Sequence, residues 1–265
     1  MSGEREMNFF DHIEELRWHL FRSVIFLIVA TILVFFFSSF IFNEIIFGPL
    51  SPEFWSYRVL CSVMKDFCID NVPVKLLNTE IAGQFSLHLK TAFILGFMLS
   101  IPYFLWEIWK FIKPALHPSE RNYSQILLGC GFFLFIVGSC LGYFVIFPIT
   151  LLFLTGYQVS NTIENMYSIS NYYDYLTDSV LWTGAMFELP ILFYFLAKMG
   201  FVSSEFLSTY RRHLYLMLLV VAAGITPSPD ITSMMMVACP LFILYEISAI
   251  VVSQVEKFEK NNLKK

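Results

Sequence analysis

The chain has 265 residues, of which 57% are hydrophobic and only 14% are charged, and its formal net charge is −4. A hydrophobic fraction this high excludes an ordinary water-soluble domain and indicates an integral membrane protein. The 17 Lys and Arg residues are scattered along the sequence, so the chain lacks the clustered basic surface of a nucleic-acid-binding protein. We therefore expect a protein that contacts membrane lipid and has no nucleic-acid partner.

An amphipathic helix that continues into a membrane span is predicted at the start of the chain, where Asn8 is a suitable N-cap. The apolar residues of one face recur at helical spacing and are Phe9, Ile13, Leu16 and Leu20. The opposite face carries Asp11, Glu14 and Glu15, and Arg17 follows Glu14 by three residues. These charges are typical either of a solvated helix face or of an acidic surface at the membrane boundary. Because no small-residue cleavage motif follows, we expect this first span to be retained.

Six membrane spans are predicted from stretches of about 20 mostly apolar residues. They cover residues 18–42, 85–112, 124–154, 175–199, 214–225 and 231–252. The fifth span is only about 18 Å long, which requires a thinned membrane or shelter by neighbouring helices. The predicted organisation is a cytoplasmic amphipathic segment over 1–17, a six-span domain over 18–252 with an outer cap loop at about 43–84, and a cytoplasmic tail over 253–265.

The basic residues indicate how the chain is oriented in the membrane. Most of them fall at the N-terminus, in the second and fourth connections and in the tail, and none occurs between Asn122 and Ala197. By the positive-inside rule, these segments and both termini are cytoplasmic.

The cysteines and histidines predict no metal site or cofactor, because they form no motif such as H-E-x-x-H. Cys61 and Cys68 lie in the first outer connection, where an oxidising exterior permits a disulfide, although two unrelated thiols are an equal alternative. Three further cysteines lie in apolar spans and are expected to be packing residues, namely Cys130, Cys140 and Cys239. The absence of evident internal repeats weakens the case for a transporter built from two related halves.

A second acidic position lies on the cytoplasmic side, at the end of the connection FIKPALHPSERN. Pro114 and Pro118 predict a tight loop there, and Glu120 stands just before the third span. Glu120 therefore shares a compartment with Glu15. Two separated carboxylates beside an aromatic residue such as Phe111 suit a ligand with two guanidinium groups, because Arg stays charged and binds carboxylate bidentately. An acid favoured by the dipole of the following helix is the alternative for Glu120.

Acidic residues also occur within or beside the apolar spans. Glu188 lies inside the fourth span, where an acid costs about 2.5 to 3.5 kcal/mol and must face other helices or water. It is either a functional polar group or a buried hydrogen-bonding partner of Lys90 or of a backbone group freed by Pro190. Glu246 lies in the sixth span nearer the cytoplasm, and Asp230, in the outer turn ITPSPDI, is a candidate cap of the sixth helix.

Seven segments in the same order give the chain a resemblance to the TatC family, the multi-spanning receptor subunit of the twin-arginine protein translocase. They are HIEELRWHL, GPL, WKFIKPALHPSER, FPI, FELP, TPSPD and LFILYEI. The resemblance covers nearly the whole chain. It implies an all-α integral membrane protein with six transmembrane helices in a curved, glove-like bundle, with short fifth and sixth helices and both termini in the cytoplasm.

The resemblance also implies a function in the bacterial cytoplasmic (inner) membrane. Members of the family bind twin-arginine signal peptides of folded precursors and then assemble with TatA-type single-span partners, driven by the proton-motive force. A distinct TatB-type subunit and other copies of the chain are further implied partners. The implied signal-peptide contacts are Glu15, Leu16, Arg17, Phe111, Pro114 and Glu120. The implied intramembrane polar or partner contacts are Glu188 and Glu246, and the outer-loop motif contains Pro49 and Asp230.

Three features depart from the family pattern. The first outer loop is longer than usual and carries the cysteine pair, Glu107 stands where the family commonly has Gln, and Asn122 replaces a second basic residue. Glu107 thus adds one more acid near the implied site. A proton-coupled small-molecule transporter using Glu188 is the alternative function. An intramembrane protease is disfavoured because the sequence contains no nucleophile, paired-aspartate or zinc motif, and we expect no enzymatic activity.

Overall fold

The computed structural model describes residues 9–63, 74–112, 118–156, 160, 165–198, 200–225 and 231–263. The long helices are α1 (Phe9–Phe36), α4 (Gly83–Ile112), α5 (Pro118–Leu141), α7 (Ile169–Met186), α10 (Arg211–Ile225) and α11 (Ile231–Leu263). The shorter ones are α2 (Ser38–Phe40), α3 (Trp55–Val63), α6 (Phe147–Gly156), α8 (Leu189–Lys198) and α9 (Ser204–Thr209). Two π-helical segments, Ile41–Ile46 and Gly142–Ile146, and a 3-10 turn, Gly48–Leu50, join some of them. Strands β1 (Leu76–Leu77) and β2 (Tyr167–Ser168) pair in parallel.

In the described part of the chain, five helical segments are long and apolar enough to cross a membrane. They are Glu14–Phe36, Gly83–Phe111, Gly129–Gly156, Ile169–Lys198 and Val237–Lys257. Helix α10 has 15 residues and is therefore about 22 Å long, which matches the short fifth span expected from the sequence. The predicted class, an all-α integral membrane protein, is confirmed.

Three boundaries differ from the predicted ones. The first span ends at Phe36 and is followed by α2 and a π-helical segment, in place of one helix to residue 42. The fourth span begins at Ile169 and consists of α7 and α8, because the helix is interrupted before Pro190. The sixth helix is not short, since α11 has 33 residues and continues into the predicted tail. Glu256 holds this extension in place by accepting a hydrogen bond from the backbone N–H of Ser204 at 2.8 Å.

The described helices form two compact units, and the first lies within Met1–Phe42 and Ala82–Phe132. It is built on α1 and α4, which run antiparallel, since residues early in α1 contact residues late in α4 and the reverse. Phe26 stacks on Tyr103 with ring centroids 4.5 Å apart, and Phe35 stacks on His88 at 4.1 Å. The ring Nε2 of His88 also lies 3.1 Å from the carbonyl oxygen of Phe35. Aromatic packing therefore fixes the register of the two helices.

Helices α1 and α4 approach each other closely at Gly96. A Cβ atom placed there would lie 2.6 Å from Thr31 Oγ1 and 2.8 Å from the Thr31 backbone. Backbone atoms cannot move aside cheaply, so the two helices require glycine at this position.

We expect Gly96→Ala to lower the free energy of unfolding by about 1 to 3 kcal/mol, because the added methyl group overpacks the helix crossing. Thermal unfolding of the purified chain in detergent measures the effect. Gly129→Ala is the matched control, since nothing lies within 4 Å of a Cβ atom at Gly129. An equal loss of stability in both variants would contradict the assignment.

The second unit lies within Asn43–Ile81 and Phe133–Lys265. One buried cluster joins the end of α7, helices α10 and α11 and a π-helical segment, and it consists of Ile146, Phe187, Ala222, Val237, Ala238, Leu241 and Leu244. Near the predicted outer side, tyrosine hydroxyls donate to backbone carbonyl groups, Tyr143 to Ile45 at 2.6 Å and Tyr172 to Ile46 at 2.7 Å. These bonds satisfy carbonyl groups at the end of the π-helical segment, where regular helical bonding stops.

Candidate functional site

The predicted cytoplasmic site begins on the first turns of α1, where two neighbouring acids have different surroundings. Glu14 accepts a hydrogen bond from Arg17 Nη2 at 3.1 Å, and both side chains are largely exposed. Glu15 and Leu16 are half-buried. The Glu15 Oε2 atom is buried and has no hydrogen-bond partner in the described part of the chain. Glu15 therefore has an unused acceptor, whereas Glu14 already has a cationic partner.

One helical turn after Glu15, α1 contacts a buried carboxylate of α4. Glu107, on α4, is 1% exposed, and its Oε2 atom lies 2.5 Å from Nδ1 of His19. Its Oε1 atom accepts a hydrogen bond from Lys110 Nζ at 2.9 Å. An ionised carboxylate only accepts hydrogen bonds, so we assign the donor role to the His19 ring. Burial of this acid is tolerated because each of its oxygen atoms has a donor, His19 for one and Lys110 for the other.

His19 connects this buried carboxylate to the aromatic residue of the predicted site. The ring of Phe111 packs edge-on against the ring of His19, with centroids 6.4 Å apart. Lys110 lies 5.8 Å from the centroid of the Trp106 ring. Since His19 follows Glu15 by four residues on the same helix, the contacts of His19 set the position of the turn that carries Glu15.

The extra acid at Glu107 is evident in the sequence, but its partner, His19, is not. The signal was available in two places, the departure from Gln at residue 107 and a histidine at residue 19 within an apolar stretch. The 88 residues that separate them hide the pairing from any local pattern.

Two of the predicted signal-peptide residues have side chains outside the part of the chain that the structure describes. Pro114 lies outside the described residues. Glu120 belongs to the first turn of α5, where the helix dipole favours an acid, but its side chain lies outside the described part of the chain. The described contacts therefore link the turn that carries Glu15, Leu16 and Arg17 to Phe111, through His19.

Glu188, in the second unit, lies between α7 and α8, where the fourth span is interrupted. Its backbone carbonyl accepts hydrogen bonds from the N–H groups of Ile191 and Leu192 at 3.1 and 3.0 Å. Its half-buried side chain has a buried Oε1 atom without a hydrogen-bond partner among the described residues. The helix break therefore leaves an acid with unused hydrogen-bonding capacity inside the membrane.

Glu246 on α11 has partners, in contrast to Glu188. It accepts hydrogen bonds from Arg211 Nε at 2.9 Å, from Arg211 Nη2 and from the Tyr215 hydroxyl. Three donors directed at one carboxylate oxygen make Glu246 part of an ion-paired cluster at the start of α10.

The outer-loop motif is partly described. Pro49 is buried in the 3-10 turn, and its carbonyl oxygen accepts a hydrogen bond from the Tyr57 hydroxyl at 2.9 Å. Burial raises the pKa of Tyr57, so this phenol remains a donor at neutral pH. Asp230 lies outside the described residues.

The cysteines of the outer loop and those of the spans have different environments. Cys61 is disulfide-bonded, and Cys68 lies outside the described residues. The expectation that the span cysteines are packing residues is wrong, because Cys130, Cys140 and Cys239 are free and exposed. A small thiol is compatible with a helix surface that faces lipid.

Comparison with known proteins gives one consistent result. The family model described as Sec-independent protein translocase protein (TatC) matches residues 11–240. A protein of that name from Blattabacterium sp. subsp. Periplaneta americana is 40% identical, and the match covers 97% of this chain and 99% of the relative. Another from Halalkalibacterium halodurans is 30% identical, and the match covers 97% of this chain and 95% of that relative.

Solved structures give the same result. The crystal structure of a twin-arginine translocase receptor, TatC, matches with a TM-score of 0.70 at 28% identity, and covers 91% of this chain and 97% of that one. A structure of such a receptor in the detergent DDM matches with a TM-score of 0.72 at 28% identity. This match covers 91% of this chain and 99% of that one.

Proposed function

The chain belongs to the TatC family of Sec-independent protein translocase proteins, and on this premise we propose that it binds twin-arginine signal peptides at its cytoplasmic face. It is an integral protein of the bacterial inner membrane and a translocase component, not an enzyme. Its partners belong to the same translocase system. Membership of a protein translocase family argues against the alternative of a proton-coupled small-molecule transporter.

The observation that carries this proposal is the buried Oε2 atom of Glu15, which has no hydrogen-bond partner among the described residues. An unsatisfied carboxylate oxygen is costly in a partly buried position, and a cationic ligand removes that cost. Arg17 does not fill this role, because its guanidinium group bonds Glu14. Glu15 is therefore the acid on this turn that is ready to accept an arginine from another chain.

The second arginine of the signal peptide would pair with Glu120. Pro114 and the loop between α4 and α5 would set the spacing of the two acids, and Leu16 and Phe111 would contact the apolar part of the peptide. Arg17 would keep Glu14 neutralised, so that the peptide meets Glu15 and not Glu14 on this turn of α1. Lys keeps the charge of Arg but lacks its planar fork, so a two-lysine peptide would form fewer paired hydrogen bonds.

Peptide binding would then promote assembly with TatA-type subunits, with a TatB-type subunit where one exists and with other copies of the chain, and the proton-motive force would drive transport of the folded cargo. Glu188 supports a role for the fourth span in this step. An acid with unused hydrogen-bonding capacity inside the membrane is a site for a polar group of a partner helix.

Photocrosslinking from residue 111 in membranes tests the proposal. A photoreactive amino acid replaces Phe111, and the crosslinked yield is compared for precursors with two arginines or two lysines in the signal peptide. We expect the two-arginine precursor to crosslink and the two-lysine precursor to lose most of the yield. Glu15→Ala and Glu120→Ala should each produce a similar loss. Equal yields for both precursors in all variants would refute a twin-arginine site at this position.

A further inference from the structure

A cavity of about 410 Å³ lies in the second unit, between α9, the first residue of α10 and the cytoplasmic half of α11. On α11, polar side chains lie at both ends of the wall, with Ser253, Gln254 and Lys257 toward the cytoplasm and Glu246, bonded to Arg211, toward the membrane centre. The apolar residues Ala249 and Ile250 lie between them. None of the predicted signal-peptide contacts lines it. The residues that carry the argument are Arg211, Ala249, Ile250, Ser253, Gln254 and Lys257.

Three hydrogen-bond donors lie together on the cytoplasmic end of this wall. Ser253, Gln254 and Lys257 occupy positions i, i+1 and i+4 of α11, and all three line the cavity. Their side chains have no hydrogen-bond or ion-pair partner in the described ranges of the chain. An ammonium, an amide and a hydroxyl group converging on one space form a set of donors that suits a phosphate group.

Two acids of α11 on this side of the helix, Glu246 and Glu256, are already paired, so they do not cancel this charge. Glu246 accepts hydrogen bonds from Arg211 and Tyr215. Glu256 accepts hydrogen bonds from the backbone N–H and the hydroxyl group of Ser204. Lys257 therefore remains as a cation that faces the cavity, and Arg211 adds a second, partly neutralised cation at the deeper end.

The position of the cavity relative to the membrane indicates the kind of ligand. Lys257 is the last residue of the apolar segment Val237–Lys257, on the cytoplasmic side. Deeper in the membrane, Ile250 is 58% exposed and Ile247 is 44% exposed on the same helix. Donors at the interface above an apolar helix surface match a molecule with a phosphate head and hydrocarbon chains.

We infer that this cavity binds an anionic phospholipid of the cytoplasmic leaflet. The lipid phosphate accepts hydrogen bonds from Lys257, Ser253 and Gln254, and an acyl chain lies along Ala249 and Ile250. Such a lipid stabilises the extension of α11 beyond the apolar segment, because it occupies the space that the helix leaves beside α9.

Native mass spectrometry of the full-length chain in detergent tests this inference, with dioleoyl-phosphatidylglycerol as the titrated lipid. We expect Lys257→Gln to raise the dissociation constant of the first bound lipid about tenfold. Arg212→Gln is the matched control, since Arg212 is exposed on the same side of the membrane but does not line the cavity. It should leave that constant unchanged, and Lys257→Arg should preserve most of the affinity.

Two results would overturn the inference. Equal weakening by Lys257→Gln and Arg212→Gln would mean that lipid is held by general surface charge. Displacement of the lipid by inorganic phosphate at the same concentration as the lipid would mean that the cavity binds a free anion. Neither result concerns Glu15 or Phe111, so the phospholipid site and the signal-peptide site succeed or fail separately.

Discussion

Replacing Glu15 with Gln is expected to raise the dissociation constant of a twin-arginine signal peptide roughly 10- to 100-fold. The magnitude follows because a hydrogen bond to a charged group contributes about 1.5 to 3 kcal/mol, and 1.4 kcal/mol corresponds to a factor of ten. Gln keeps the shape of Glu15 and one acceptor oxygen, so the loss reports charge and bidentate geometry more than packing. Fluorescence anisotropy of a labelled peptide, titrated with the purified chain in detergent, measures the constant.

The adjacent residue provides the control for this experiment. Glu14→Gln removes the same charge from the same helical turn, but Glu14 is exposed and already bonded to Arg17. An exposed ion pair contributes little, so Glu14→Gln should change the dissociation constant by less than about threefold. A general electrostatic attraction between an acidic face and a basic peptide predicts instead that both variants lose affinity equally. That outcome would remove Glu15 from the proposed site.

The hydropathy pattern predicted the spans because crossing a membrane imposes a length and an apolar composition that are visible in one sequence. It could not locate the interruption at Phe187 and Glu188 within the fourth span, because Pro190 permits either a kink or a break. Nor could it predict that α11 continues to Leu263. The residues beyond 252 are increasingly polar, and the contact between Glu256 and Ser204 that holds them joins positions 52 residues apart.

For the acidic site, too, local sequence pattern predicts neighbouring residues but not their tertiary contacts. Local spacing on a helix identified Glu14, Glu15 and Arg17 as neighbours, and the structure shows the Glu14–Arg17 pair. Local spacing could not reveal that Glu15 has a buried oxygen atom without a hydrogen-bond partner among the described residues, because burial depends on tertiary packing. Packing of α1 against α4 also determines the environment of Glu107, where the sequence alone indicates only one more acid near the site.

Replacing Glu107 with Ala is expected to lower both the stability of the chain and its affinity for the signal peptide. Glu107→Ala removes the acceptor shared by His19 and Lys110 and leaves their donors without a partner inside or beside the protein. Loss of one member of a buried charged pair typically costs about 3 to 5 kcal/mol. Glu107→Gln keeps an acceptor oxygen at this position and should cost much less. We therefore expect thermal unfolding in detergent to rank the chain and its variants in the order wild type, Glu107→Gln and Glu107→Ala.

The binding effect separates a positioning role for Glu107 from a purely structural one. If the His19–Glu107 contact holds the turn of α1 that carries Glu15, Glu107→Ala should weaken peptide binding at temperatures where the variant is still folded. Glu107→Gln should restore most of that binding. A double-mutant cycle with His19→Ala measures the coupling, because removing His19 should cost little once Glu107 is absent. Additive losses of binding in the cycle, or equal binding by wild type and a folded Glu107→Ala variant, would show that the His19–Glu107 contact does not position Glu15.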